Sequence, residues 1–408
     1  MKRPHYAWFV CAGGALSLST VMGLGANVFS VFQPKIIEFN QFTNTQGSWI
    51  PTMRYLFILI ALLTVNQLCA RIGLRKVMTL GNILMGLSCL SFAFADSFFK
   101  YLFSAALVGI GYCYGGMVPL SLIISNWFQD RRGLALGLAS AGSGVSTIFG
   151  SPIITRIIDA YGLKTAFLCE ALLVFPSALV IWLLLRDDPA QLGLAPYTTQ
   201  TAAAVSRPAQ AAERINRPRA QYLLFFAGLL IGGPMGPCFS HLSVLYTSEG
   251  FNSDLVALLI SLMGITICIS KTLCGQIYDR FGARLGNWSV FGVLLVGLLL
   301  CCTAPTGNIL LALLAIITFS FGLSLTAVSP AVWSQDLSSQ ERYPSTLRSF
   351  NLSYTVGMLL FGPIPGMLAD RTGSYVPSYL LFTGFLVVAI VIVQGMYYVL
   401  GLGKRTRA

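Results

Sequence analysis

Residues 275–290 read GQIYDRFGARLGNWSV, and residues 66–81 read NQLCARIGLRKVMTLG. Each follows an apolar run of membrane-crossing length, and their glycines, Gly73 and Gly282, stand 209 residues apart. A second pair keeps the interval: GSPIITRIIDAYGLKTAF (150–167) and FGPIPGMLADRTGSYVPS (361–378) set Gly162 and Gly373 211 residues apart. Two independent landmarks at nearly one offset mark a parallel internal repeat, the architecture in which two helical bundles rock about a central site.

The composition supplies the solvent for these bundles. The 408 residues are 55% hydrophobic and 10% charged, against about 25% charged in soluble domains. Mean hydropathy is +0.74. Runs of about 20 apolar residues, each able to cross a ~30 Å hydrocarbon core, recur near 8–32, 48–70, 78–95, 101–126, 133–157, 165–185, 220–246, 254–277, 287–303, 307–333, 345–369 and 377–401. The first is too long for the apolar part of a signal peptide and is expected to remain as a spanning helix. The polar, Ala- and Pro-rich stretch 186–219 reads as a cytoplasmic linker. The expected fold is an all-α membrane protein of twelve transmembrane helices. It forms two pseudo-symmetric six-helix bundles, 1–185 and 220–408.

A net charge of +12 suggests nucleic acid until the basic residues are sorted by loop. Nineteen of the 26 Lys and Arg fall on the side that holds both termini and the linker; five fall opposite (Lys35, Lys100, Arg156, Lys164, Arg371), and two lie within helices (Arg54, Lys271). The positive-inside rule then places both termini in the cytoplasm of a multi-pass protein of the cell (inner) membrane. The excess is a topology signal, and no nucleic-acid partner is implied. The ten cysteines lie in or at the ends of apolar runs without C-x-x-C spacing, so they read as small packing residues. No phosphate loop, metal cluster or nucleophile–base set is present. Neither an enzyme nor an ATP-driven pump is expected, and no cofactor.

The pattern G-x-x-x-D-R-x-G-x-R at 275–284 resembles the signature loop of the major facilitator superfamily, over a chain that matches that architecture throughout. The resemblance implies conformational roles for Asp279, Arg280 and Gly282. Its first-half counterpart departs from the pattern, with Ala70 at the acid position and Asn66 at the first glycine, which implies a weaker N-terminal latch. NWFQDRRGLALGLASAGSGV (126–145) resembles the fourth-to-fifth helix run of monocarboxylate porters and oxalate/formate exchangers, giving Arg131 and Arg132 a gating role. His241-Leu242 and Lys271 add to this likeness.

Lys271 lies eight residues before Asp279, about 12 Å along a helix from the cytoplasmic end. That is close to the midplane and too deep for comfortable snorkelling, so its charge should face the bundle interior and bind substrate or ion. The resemblance points the same way: Lys271 keeps the family's spacing from cation to glycine at Gly275, with Lys in place of Arg, while Ile267 stands at the family's acid position. Proton coupling then uses another group, or one anion is exchanged for another. A lysine offers a point charge without a bidentate fork.

Arg54, in SWIPTMRYLF, reads equally as an interfacial arginine beside Trp49 and Tyr55 or as a second cation drawing anions inward. Glu170 reads more readily as a structural partner of Lys164 or of a loop than as a proton carrier. His241 could titrate near neutral pH, though a hydrogen-bonded structural histidine is the plainer reading. Helices one, four, seven and ten line the cavity in the family, which offers Asn27, Tyr112, Tyr114, His241 and Trp333; Tyr354 lies beside the position of the exchangers' second cation. The many glycines, Gly137, Gly142 and Gly144 among them, suit close helix packing.

The expectation is an alternating-access transporter of a small organic anion, most readily a monocarboxylate, accompanied by protons or a counter-anion. It sits in the lipid bilayer as a functional monomer. The rivals are an efflux antiporter for drugs or another solute, and a transporter-like receptor. The cavity helices show no clear acid for cationic drugs, and the linker and tail offer little for signalling.

Overall fold

The computed structural model describes residues 5–129, 131–198, 218–339 and 342–401. The described chain is almost entirely helical: α1 Ala7–Asn40, α2 Asn44–Ile72, α3 Leu74–Ala93, α4 Phe98–Trp127, α5 Arg132–Leu184, α6 Ala220–Cys238, α7 Leu242–Ser248, α8 Ser253–Cys301, α9 Ile309–Gly322, α10 Leu325–Leu337, α11 Tyr343–Phe361, α12 Ile364–Thr372 and α13 Val376–Val399. Among the described residues ten helical stretches are long and apolar enough to cross a membrane, counting the two legs of α8 separately and α11 with α12 as one. α9 is apolar but shorter.

The four landmark glycines explain how such long runs turn. α5 has 53 residues, which at 1.5 Å per residue far exceeds any bilayer. It is broken at Gly162, with φ 82° and ψ 170°. α8 breaks the same way at Gly282, with φ 77° and ψ 171°. Gly73 (φ 92°) and Gly373 (φ 77°) close the equivalent turns. This region strains any residue with a Cβ, so the spacing seen in the sequence is a spacing of obligatory turn residues. The repeat has a further expression in wide helical turns of π type at Ser19–Val28 in α1 and Pro234–Cys238 in α6.

The chain divides into two compact units, Met1–Phe32 with Met53–Ala209, and Gln33–Thr52 with Gln210–Ala408. In the first, α3 packs on α4 and α5, and α1 packs on α5. An aromatic cluster of Trp127, Phe128, Trp8 and Tyr197 closes one end. Residues 186–198, expected as flexible linker, are docked here: Trp127 Nε1 donates to Arg186 O at 2.7 Å, and Gln129 N donates to Tyr197 O at 3.0 Å. The rest of that stretch, 199–217, lies outside the described residues. All ten cysteines are free.

In the second unit the end of α1 and the start of α2 pack with the later helices. As α11 and α12 run from Gly362 to Asp370, their partners run backward from Thr52 to Asn44. A Cβ at Gly362 would strike the Thr52 side chain, one at Gly366 would strike Asn44 O, and Asp370 meets the first turn of α2. Glycines at this i, i+4 spacing let the two helices approach closely.

Candidate functional site

Arg54 is the residue around which the first unit's site is built. It lies ten residues into α2, about 15 Å along the helix, and is 4% exposed, whereas Trp49 one turn earlier is 42% exposed. Trp49 thus faces outward from the helix packing, whereas Arg54 is enclosed by it. Its guanidinium reaches Gly25 O from Nη1 at 3.3 Å and Tyr55 Oη from Nη2 at 3.4 Å, both long bonds. Aromatic faces do the rest, with Tyr55 at 5.1 Å and Phe29 at 6.0 Å from the guanidinium carbon. Among the described residues no carboxylate comes within ion-pairing distance of it.

The surroundings follow from local structure. Gly25 sits in the wide-turn segment of α1, and such segments redirect backbone groups at functional sites. α4 approaches α2 at Gly109, where a Cβ would meet Arg54 O at 2.5 Å. That contact brings half-buried Tyr112, one turn further along α4, into charge-interaction range of Arg54 and Tyr55. Asn27 is buried and donates to Thr147 Oγ1 at 2.9 Å. The first unit thus brings Arg54 and Tyr112 together with Asn27 nearby on α1.

The second unit holds His241, Trp333, Tyr354 and Lys271 among the expected site residues. His241 is fully buried: Nδ1 lies 2.8 Å from Pro237 O, and Nε2 lies 2.6 Å from Ser48 Oγ. Pro237 O can only accept, so Nδ1 carries the proton and the Ser48 hydroxyl donates to Nε2. Tyr354 is buried on α11 against Gly228 of α6, and its hydroxyl finds no hydrogen-bond partner among the described residues. Trp333 donates to Asn287 Oδ1 at 3.0 Å, a packing role. Lys271 lies in α8, and the side chains of Lys271 and Asp279 fall outside the described residues. At the expected gates, Arg280 is exposed, Gly282 makes the turn, Arg131 has φ 55°, and Arg132 Nε donates to Phe128 O at 2.6 Å.

Two acids that sequence reasoning passed over cap helices from other parts of the chain. Asp187 Oδ1 accepts from Arg75 N at 2.6 Å beside Gly73, so an acid from the start of the linker stands at the turn where Ala70 leaves one missing. Asp370 accepts from the backbone of Asn44 and Thr45, each at 2.9 Å, and from Thr45 Oγ1. Carboxylates suit helix N-termini because free N–H groups and the helix dipole converge there. The signal for Asp370 was present: D-R-T-G at 370–373 echoes D-R-F-G at 279–282. Asp370→Ala should destabilise the protein by about 1 kcal/mol, while Asp370→Asn, which still accepts one N–H, should recover most of it. Thermal unfolding of the two variants in detergent checks this; equal loss in both would show that charge alone matters.

Comparison with known proteins agrees with this geometry. A family model described as Major Facilitator Superfamily matches residues 15–362. Monocarboxylate transporter 13 of Bos taurus is 24% identical over 392 residues, covering 93% of this chain and 87% of the relative. Monocarboxylate transporter 11 of Mus musculus is 26% identical over 410 residues, covering 96% and 87%. Among solved structures, a point mutant of the nucleoside transporter NupG superposes with a TM-score of 0.78 at 11% identity, covering 96% of this chain and all of that one. A POT family transporter in complex with 5-aminolevulinic acid gives 0.73 at 14%, covering 95% and 94%. These relatives and structural neighbours are transporters rather than enzymes.

Proposed function

The chain belongs to the major facilitator superfamily, and we propose that it carries a small organic anion, most readily a monocarboxylate, by alternating access. The observation that carries this reading is Arg54, a buried guanidinium for which the described residues provide aromatic faces and two long hydrogen bonds but no acid. A cation kept in an apolar interior without a protein anion is expensive unless another anion neutralises it. A carboxylate fits the guanidinium fork bidentately. Lys271, in α8, supplies a second cation by its position in the sequence. The relatives' names, monocarboxylate transporters, point to the same substrate class.

Twelve crossings are reached in this reading by counting α5 as two at Gly162 and adding α9 with α10 as one. The basic residues of the linker and tail then hold both termini in the cytoplasm. Efflux of cationic drugs is disfavoured because Arg54 would repel such substrates.

Uptake of labelled solutes into proteoliposomes tests the proposal. Monocarboxylates should accumulate and compete with one another, while amines and neutral sugars should not. Lys271→Gln should lower carboxylate uptake by about ten-fold or more, the effect of removing one partner of a desolvated charge pair. Transport of amines but not acids would reject the substrate class; normal carboxylate uptake in Lys271→Gln would leave Arg54 as the sole anion partner.

A further inference from the structure

Arg75 and Arg186 bring two guanidinium groups to one end of the first unit. Arg75 is the second residue of α3, and Arg186 stands two residues past Leu184, the last of α5. Both are half-buried. Arg75 Nε donates to Trp182 O at 2.8 Å, and Arg186 Nη1 reaches the same oxygen at 3.4 Å, so the two nitrogens are at most about 6 Å apart. Arg186 Nη1 also donates to Leu183 O at 3.0 Å and Leu185 O at 2.8 Å. The Arg75 guanidinium carbon lies 3.7 Å from the centroid of the Trp182 ring. Backbone and ring thus hold two like charges at a range where they repel.

The nearby acids do not relieve this repulsion. Asp187 Oδ1 accepts from Arg75 N at 2.6 Å, and Asp188 Oδ1 accepts from Ala190 N at 2.8 Å. Among the described residues neither guanidinium has a carboxylate within ion-pairing distance. Arg75 Nη1 and Nη2, with Arg186 Nε and Nη2, have no protein acceptor there. Exposed Arg71 and Lys76 flank the Gly73 turn, so over 71–76 and 186–188 four cations stand against two acids. The setting is a membrane boundary. α3 is long and apolar enough to span from Leu74 onward, and Leu179 and Leu183 on α5, beside Trp182 in sequence, are exposed. An indole among basic residues suits the headgroup level.

We propose that Arg75 and Arg186 bind the headgroup of an anionic phospholipid, with its phosphodiester on their free donors and its acyl chains along the Leu179–Leu183 face. The inference rests on the spanning helices of the proposed topology and not on the cargo. Guanidinium forks match phosphate oxygens bidentately, and basic pockets between membrane helices suit such headgroups. A soluble phosphate would use the same donors; the exposed apolar face favours the lipid. Bound there, the headgroup offsets the repulsion and joins the start of α3 to the end of α5.

Native mass spectrometry of the detergent-solubilised protein tests this, with phosphatidylglycerol as the anionic probe and phosphatidylcholine as its zwitterionic control. Wild type should retain phosphatidylglycerol and release phosphatidylcholine. Arg75→Gln combined with Arg186→Gln should weaken retention by about ten-fold or more, while Lys100→Gln combined with Lys164→Gln should leave it unchanged. Those lysines carry the same charge elsewhere. Lys100 pairs with Asp96 at 2.7 Å, and Lys164 lies 4.7 Å over the Phe94 ring, with Glu170 accepting from the Cys89 thiol rather than from it. If the double arginine variant does not fold, Arg186→Gln alone, whose bonds go to carbonyls of its own turn, should weaken retention by about five-fold. Equal retention by wild type and the arginine variant, equal loss in the lysine variant, or equal retention of both lipids would each overturn the inference. Inorganic phosphate at matched concentration should not displace the lipid; displacement would overturn the lipid assignment in favour of a soluble anion.

Discussion

Arg54→Gln should lose the proposed carboxylate transport yet unfold at no lower a temperature than wild type. The transport arm follows from the site: the guanidinium is buried, and its described contacts are two bonds of 3.3 and 3.4 Å and two aromatic faces. Removing one member of a desolvated charge pair costs about 2–5 kcal/mol of binding, a loss of at least about 30-fold in affinity. The stability arm has the opposite sign. Without substrate, Arg54 is a buried cation with no acid at ion-pairing distance among the described residues, and deleting such a charge relieves a desolvation penalty. Arg54→Lys separates charge from shape, since an ammonium keeps the first and loses the fork. It should transport with affinity reduced about ten-fold, one member of a bidentate pair being worth about 1–2 kcal/mol. Uptake kinetics and ligand-free thermal unfolding of the three proteins read both arms. A structural arginine would give the reverse pattern, destabilised variants with the remaining folded protein fully active.

The second large effect is steric. Gly137 and Gly142 are five residues apart on α5, and sequence treats them alike as small packing residues. A Cβ at Gly142 would strike the carbonyl oxygen of Ala15 and lie 2.9 Å from its carbon, whereas a Cβ at Gly137 meets nothing within 4 Å. The obstruction at Gly142 is backbone of α1, which cannot rotate aside, so Gly142→Ala must separate the two helices. Overpacking of this kind costs about 1–3 kcal/mol, and more where main chain is displaced. Gly137 is exposed, and there alanine improves helix propensity by up to about 1 kcal/mol. Gly142→Ala should therefore fold poorly and unfold early, while Gly137→Ala should match or exceed wild type. Equal behaviour in both would mean that α1 and α5 are not in the close contact described.

The positions of the apolar helices and the four turn glycines were legible in the sequence because both are properties of single segments. Hydrocarbon demands a run of apolar residues of bilayer length, and a backbone at φ 77° to 92° demands glycine. The parallel repeat followed, as did the family. Some local readings were still changed by packing: α1 runs on to Asn40, well past the end of its apolar run, and residues 186–198 dock on Trp127 and Gln129. Sequence could suggest a depth for Lys271 and left two readings open for Arg54, but neither names a partner.

What lies beside a charge was decided by tertiary structure alone. Arg54 found Gly25, Tyr55 and Phe29, with no acid among its described contacts; Glu170 found a thiol where Lys164 was expected; His241 found Ser48, 193 residues away. Asp187 and Asp370 accept from the first turns of helices at positions 112 and 326 residues earlier. The sequence by itself thus determined which segments enter the membrane and where each must turn, because apolar length and backbone sterics act along the chain. Only the packed helices decided which buried charges are paired and which are left for a ligand, because hydrogen bonding and Coulomb attraction act across a few ångströms of space, whatever the distance in sequence.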